Sequence, residues 1–192
     1  MASEADLDTV CVEPPSPHEP PSEVPHPAAV NSSPGLHLAC RRGDARAALY
    51  AIATGADVGR PGPDGWRPLH LAASGGHQAL VALLLEGGAR VDGRSRLPRS
   101  CVGATPLHVA AAVGSLKVAV LLLSAGADPD LRDEAGLTAL HTAAARGDRA
   151  LVKALLLAGA DPAPTLSGIT PLELALQGGH RATAALLRQC AR

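Results

Sequence analysis

The sequence is poor in aromatic residues: its 192 residues include no Phe, one Tyr and one Trp. Apolar residues nevertheless make up 46% of the chain, so we expect a hydrophobic core built from Leu, Val and Ala. The chain lacks a run of about 18 apolar residues, the length of a membrane-spanning helix. Its first ten residues, MASEADLDTV, contain neither a basic nor a hydrophobic segment. We therefore expect a protein that neither spans a membrane nor carries an export signal.

Paired cysteines and a strong net charge are also lacking. The four Cys residues show no Cys-x-x-Cys spacing, which favours reduced thiols in the cytoplasm or nucleus. The formal net charge of −1 at pH 7 provides no overall attraction to nucleic acid or to an anionic membrane. With only two Lys and two aromatic residues, the chain is also poorly suited to stack nucleic-acid bases.

Residues 1–33 differ in composition from the rest of the chain. They carry six acidic residues and no Lys or Arg, and the stretch EPPSPHEPPSEVPHP (13–27) is rich in Pro, Glu and Ser. Such a sequence buries too little apolar surface to offset the entropy of ordering, so we predict a disordered, partly polyproline-like tail. Ser16 and Ser33 each precede a Pro and are candidate phosphorylation sites. Residues 34–192 hold all 17 basic residues and the other 12 acidic residues.

A motif recurs through residues 34–192. Its copies are GWRPLHLAASGGH (65–77), GATPLHVAAAVGS (103–115), GLTALHTAAARGD (136–148) and GITPLELALQGGH (168–180), with a degenerate copy, PGLHLACRRGD, from Pro34. Four copies have a His at the same place and the fifth has Glu173; the histidines are His37, His70, His108 and His141. Gly-Ala-Asp or Gly-Ala-Arg follows most copies in step. A fixed period of this kind is the signature of a repeat architecture.

Each copy predicts two short antiparallel helices. Thr105-Pro106 places an N-cap hydroxyl before a Pro at the first helical position. The second helix carries apolar pairs one turn apart, as at Leu80, Val81 and Leu84, and ends at a Gly suited to a left-handed conformation. One helix pair cannot cover its own apolar face, whereas stacked neighbours can. We therefore predict an all-α repeat solenoid.

Residues 34–192 resemble the ankyrin repeat family, whose pattern is G-x-T-P-L-H-x-A-A-x-x-G-H, an apolar outer helix and then G-A-D. The resemblance implies a stack of about five helix-turn-helix repeats with β-hairpin or loop fingers at one edge. The repeats are predicted at 34–64, 65–102, 103–135, 136–167 and 168–192, with the first and last as caps. In the family, the His of this motif hydrogen-bonds backbone near the turn between repeats. His37, His70, His108 and His141 are therefore expected to be structural.

Partners of the family bind at the finger tips and at exposed positions of the inner helices. Mapped onto this sequence, the candidate contact residues in these places are Trp66, Val113, Leu137, Arg146, Ile169 and Gln177. Trp66 is the leading anchor, because aromatic and Arg residues dominate interface hot spots. Alternatively, Trp66 packs on the neighbouring finger or on Arg67, which replaces the usual Thr. Arg67 is a further candidate contact.

The junction between the second and third repeats is longer than its neighbours. The motif His residues are 38 residues apart there and 33 apart on either side. The segment RVDGRSRLPRSCVGA (90–104) contains Arg94, Arg96 and Arg99. We interpret it as an enlarged finger. The alternatives are a basic contact for an acidic partner and a site for a basophilic kinase at Ser95 or Ser100.

These observations predict a non-catalytic protein–protein interaction module that acts as an adaptor, scaffold or stoichiometric regulator. An enzyme needs a nucleophile near a base, a metal cluster or a phosphate loop, whereas each His here belongs to the repeat pattern or to the tail. The alternative is a nucleic-acid-associated or transcription-regulating ankyrin protein that uses the basic finger at 90–99. We expect no cofactor, no metal and no membrane contact. We also expect a monomer that binds another protein in the cytoplasm or nucleus.

Overall fold

The computed structural model describes residues 33–96, 102–165 and 168–190, where each copy of the motif contributes two helices. The helices are α1 (Ser33–Arg42), α2 (Ala45–Ala53), α3 (Pro68–Ser74), α4 (Gln78–Glu86), α5 (Pro106–Val113), α6 (Leu116–Ser124), α7 (Ala139–Arg146), α8 (Arg149–Leu157), α9 (Pro171–Gln177) and α10 (Arg181–Cys190). Ser33 belongs to α1, so helical structure starts one residue earlier than the predicted boundary of the array. Ser16, Arg99 and Ser100 lie outside the described residues.

The repeated motif determines where the first helix of each repeat begins and ends. In the third repeat, Thr105 is the N-cap of α5, and its backbone N–H donates to Nδ1 of His108 at 3.2 Å. Pro106 follows as the first helical residue, a position where no N–H is required. Gly114 ends the helix at a φ of 81°, a left-handed conformation that Gly adopts without a Cβ clash.

Glu173 preserves this cap in the fifth repeat, although it replaces the motif His. Its carboxylate accepts the backbone N–H of Thr170 at 2.7 Å and the Thr170 hydroxyl at 3.1 Å. These copies of the motif thus share a hydrogen-bond acceptor three residues after the N-cap. Either an imidazole nitrogen or a carboxylate oxygen supplies it.

The helices form two layers. The odd-numbered helices α1, α3, α5, α7 and α9 pack in sequence as an inner layer, and the even-numbered helices α2, α4, α6, α8 and α10 pack in sequence as an outer layer. Each inner helix also packs on the outer helix of its own repeat. The predicted all-α repeat solenoid is therefore confirmed.

The core runs continuously between these layers. The inner helices contribute small buried residues such as Ala72, Ala110 and Ala143, and the outer helices contribute buried Leu residues such as Leu122 and Leu155. The small side chains of the inner layer allow its helices to approach closely. Larger side chains come from both layers, since the inner helices also carry buried Leu69, Leu107 and Leu140. None of the helices in the described ranges combines the length and apolar character needed to cross a bilayer.

Loops lead from each outer helix to the next inner helix and form the fingers, at residues 54–67, 87–105, 125–138 and 158–170. Their described parts are turns and loops without a regular strand pair. In the third finger the chain reverses tightly, since the N–H of Asp133 donates to the carbonyl oxygen of Leu137 at 2.9 Å. Of the predicted β-hairpin or loop forms, the described residues adopt the loop form.

Candidate partner-binding surface

Two motif histidines join the second repeat to the third and the third repeat to the fourth. Nε2 of His70 lies 3.0 Å from the carbonyl oxygen of Ala104, and Nε2 of His108 lies 2.9 Å from that of Leu137. Because Nδ1 of His108 accepts the N–H of Thr105, its Nε2 carries the proton and donates to Leu137. Each imidazole therefore links the cap of its own helix to the following finger.

Burial keeps these imidazoles neutral. It lowers the pKa of His70 from its ordinary 6.5 to about 4, and the carbonyl of Ala104 only partly offsets this effect. Burial likewise lowers the pKa of His108 and of His141, with the backbone of Leu137 and of Ile169 acting in the opposite direction. His37, in the first repeat, is also buried. These side chains face the interior of the stack, so a partner at the surface does not reach them.

Arg67, which stands where the motif usually has Thr, connects two fingers. Its Nε donates to the carbonyl oxygen of Arg94 at 3.3 Å, and its Nη1 donates to the carbonyl oxygen of Gly59. Trp66 is half-buried and packs on the core, with its ring centroid 6.1 Å from that of His70. Its indole Nε1 is buried and has no hydrogen-bond partner in the part of the chain that the structure describes. Both residues therefore have packing roles inside the finger layer.

Arginines at equivalent repeat positions form a ladder along the fingers. Nη1 of Arg94 donates to the carbonyl oxygen of Arg132 at 2.9 Å, and Nη1 of Arg132 donates to that of Thr165 at 2.6 Å. The three residues occupy the same position in successive repeats. Arg94 was predicted as a partner contact, yet its guanidinium is engaged with the next finger. Arg96 is exposed; its backbone N–H donates to the carbonyl oxygen of Gly65 at 3.1 Å.

A second ladder uses carboxylates two residues before these arginines. Asp92 accepts the backbone N–H of Asp128 at 3.3 Å, and Asp130 accepts that of Asp161 at 2.8 Å. Burial raises the pKa of Asp92, and the bond from Asp128 partly offsets it. Sequence reasoning missed both ladders. Their signal is the Asp-x-Arg triplet at 92–94 and 130–132, which recurs in register.

The ends of the inner helices form an exposed row, which we call the inner-helix edge. It consists of the two residues before each turn Gly, at 41–42, 74–75, 112–113, 145–146 and 177–178, and all but the half-buried Ser74 are exposed. Val113 is 47% exposed there. Beside it, Nη1 of Arg146 donates to the carbonyl oxygen of Ala112 at 2.8 Å and Nη2 to that of Val113 at 3.3 Å. Gln177, in the last repeat, is exposed.

The apolar finger positions differ in exposure. Leu137 is half-buried and offers its carbonyl oxygen to His108, whereas the side chain of Ile169 is 37% exposed. Of the predicted contact residues, the structure brings Val113 and Arg146 together on the inner-helix edge. It places Trp66, Arg67 and Arg94 in the finger layer instead.

The described residues include free thiols and side chains of types that can bind metal ions. Cys40 is buried, which raises the pKa of its thiol to about 12 and keeps it protonated at neutral pH. Among the residues that the structure describes, no group of three His, Cys, Asp or Glu side chains has an arrangement that could hold a metal ion.

The two helical layers, the continuous core and the exposed edge define a helical repeat protein. The chain belongs to the ankyrin repeat family: the family model described as Ankyrin repeats (3 copies) matches residues 36–133 and again residues 120–191. These matches together span most of the chain and cover all ten helices almost completely. Ankyrin repeats are generally protein–protein interaction modules. No curated protein matches the chain.

Proposed function

We propose that this protein is a non-catalytic adaptor, scaffold or stoichiometric regulator, and that it binds a protein partner through its inner-helix edge and finger tips. In this proposal, residues 1–33 form a tail and residues 34–192 form one binding array of five repeats. The array acts as a monomer. We place it in the cytoplasm or nucleus, and the free thiols of Cys40 and Cys190 support such a reducing compartment.

The observation that carries this proposal is the pairing of Val113 with Arg146 at the edge. Val113 exposes an aliphatic side chain, and two backbone carbonyls hold the neighbouring guanidinium in one place. An apolar contact beside an ordered Arg is a favourable anchor, because little side-chain entropy is lost when a partner binds.

The distribution of the other polar groups supports a binding role over a chemical one. The imidazoles of His70 and His108 are used between repeats, and the Arg67 and Arg94 guanidinium groups donate to finger carbonyls. Exposed side chains remain at the edge and at finger positions such as Ile169 and Arg96, where a partner can reach them.

Substitution of Val113 and of Val120 by Glu tests the proposal. Both side chains are 47% exposed in the same repeat, but Val113 ends inner helix α5 and Val120 lies on outer helix α6. Partners would be captured from an extract with the full-length chain, and the affinity of each purified partner would be measured by calorimetry. We expect Val113→Glu to weaken binding by about tenfold or more and Val120→Glu to leave it unchanged.

Two outcomes would contradict this assignment. Equal loss of affinity in both variants would mean that the edge is not the contact surface. Binding to DNA or RNA that disappears in Arg96→Gln, with no captured protein affected by Val113→Glu, would favour the nucleic-acid alternative instead. Thermal unfolding of both variants checks that the comparison concerns folded protein.

A further inference from the structure

Over its ten positions, the inner-helix edge carries only positive charge. Arg41, Arg42 and Arg146 lie on it, and none of its other positions is acidic. Arg41 forms an ion pair with Asp64 of the first finger at 2.6 Å. Arg42 is exposed, and its side chain forms no hydrogen bond or ion pair with another described residue. The edge therefore presents at least two cations to whatever lies against it.

Arg146 is a preorganised cation. Two of its N–H groups donate to the carbonyl oxygens of Ala112 and Val113, which carry no net charge and leave the positive charge of the guanidinium intact. Because a guanidinium has five N–H donors, roughly three remain for a carboxylate. The exposed Val113 lies directly beside these donors. An acidic residue next to an aliphatic one fits this pair.

The inner-helix edge is also long enough to hold an extended peptide segment. From Arg42 on α1 to Arg146 on α7 there are three steps between packed inner helices, or about 27 Å at roughly 9 Å per step. The positions between them are small, with Ser74, Gly75 and Ala112, so a peptide backbone can approach closely. Such a path suits an extended segment of about eight to ten residues.

The N-terminal part of this chain contains a segment of that chemistry and length. Residues 4–13, EADLDTVCVE, carry four carboxylates, no basic residue and three aliphatic side chains. Fully extended, these ten residues span about 33 Å. Residues 14–32 connect the segment to α1 and reach up to about 59 Å in a polyproline-like conformation, enough to turn back along the stack.

We propose that residues 4–13 dock on the inner-helix edge of the same chain, with carboxylates at Arg42 and Arg146 and aliphatic side chains against Val113. The tether holds the segment at an effective concentration in about the millimolar range, so weak intrinsic affinity suffices for substantial occupancy. If the edge is the partner surface, which rests on the proposed function, the docked segment competes with the partner and acts as a built-in inhibitor.

Paramagnetic broadening in the full-length chain tests the docking without any partner. A spin label is attached to Cys11 in a Cys101→Ser, Cys190→Ser background; buried Cys40 does not react, since its pKa of about 12 keeps it a thiol. We expect strong broadening of the amide signals of the edge at 112–113 and 145–146. Broadening is expected to decline along the outer helices, because the last residue of α6, Ser124, lies about 12 Å along the helix from its first residue beside the edge.

Charge-matched variants show whether the proposed contacts cause the broadening. Asp6→Asn with Asp8→Asn is expected to reduce it by about twofold or more, whereas Glu19→Gln with Glu23→Gln, outside the segment, leaves it unchanged. On the array, Arg42→Gln reduces the broadening, whereas Arg46→Gln, an exposed Arg on outer helix α2, does not.

The docking would be overturned if broadening were absent or spread evenly over the array. It would also be overturned if each variant and its matched control changed the broadening equally, or if the broadening arose between different chains. The last is measured by mixing isotope-labelled chain without a spin label with spin-labelled chain at natural isotope abundance. None of these results bears on the partner surface, because no partner is present. Conversely, if Val113→Glu and Val120→Glu weaken partner binding equally, the proposed partner surface fails but the docking result still stands.

Discussion

Arg94 and Arg132 occupy the same position in successive repeats, and the guanidinium of Arg94 donates to the backbone carbonyl oxygen of Arg132 at 2.9 Å. Arg132 repeats the contact one finger further on, at the carbonyl oxygen of Thr165. The fingers are therefore joined in register by side chains, in addition to the helical core below them. These contacts fix each finger relative to the next, so the fingers together form a defined surface.

Replacement of Arg94 by Ala is expected to lower the free energy of unfolding by about 1 kcal/mol. The bond is charge-assisted but partly exposed to water, which places it at the low end of such contacts. Arg96→Ala is the matched control, since Arg96 is exposed and contributes only its backbone N–H to Gly65. Urea unfolding followed by circular dichroism measures both. Equal effects of the two substitutions would remove the ladder as a source of stability.

Acidification is expected to destabilise the array through its buried histidines. Because the pKa of His70 is about 4 in the folded chain and 6.5 ordinarily, the unfolded chain binds more protons between these values. The stabilisation is complete above pH 6.5 and declines as the pH falls toward 4, by about 2 kcal/mol for His70 at pH 5. His108 and His141 act in the same direction.

Urea titrations at pH 7.5 and pH 5 measure this loss. The His70→Gln variant is expected to be less stable than the wild type at both pH values. Its unfolding free energy should nevertheless fall less on acidification, because it lacks the imidazole whose pKa is lowered to about 4. An unfolding free energy that is the same at both pH values would show that the imidazoles titrate normally.

Gly114→Ala is expected to be more destabilising than Gly126→Ala by about 0.5–1 kcal/mol. Both glycines have positive φ, at 81° and 88°, so both variants share the backbone strain. A Cβ at Gly114 would lie 2.7 Å from Nη2 of Arg146 and displace its guanidinium, whereas nothing lies within 4 Å at Gly126. In an Arg146→Ala background the difference is expected to vanish. A difference that persists there would mean that Arg146 is not its cause.

Leu155 and Leu157 provide a comparison within one outer helix. Leu155 is completely buried and Leu157 is 78% exposed on α8. Leu155→Ala removes core contacts and leaves a cavity, so a loss of about 3 kcal/mol is expected, against about 0.5 kcal/mol or less for Leu157→Ala. Thermal and urea unfolding of the two variants measure these losses. Similar losses at both positions would contradict the assigned packing of the outer layer.

Much of the fold follows from local sequence. Thr105 and Pro106 start a helix and Gly114 ends it because capping, a missing N–H and a left-handed φ are properties of individual residues. The repeat period predicts stacking, since no helix pair can bury its apolar face alone. The roles of the surface arginines could not be predicted in this way. Their partners are backbone carbonyls about one repeat away. The Asp-x-Arg triplet marks Arg94 and Arg132 as equivalent positions but does not identify the carbonyl that each side chain contacts.

The sequence by itself therefore determined the repeat and its helices, whereas the structure showed that Glu173 takes over the capping role of the motif His in the fifth repeat. Only the tertiary structure decided which of the predicted contact residues are available to a partner. It engaged Arg67 and Arg94 within the finger layer, packed Trp66 beside His70, and left Val113 open next to an ordered Arg146. The physical reason is that capping depends on neighbours along the chain, whereas the availability of a side chain depends on what the adjacent repeat places against it.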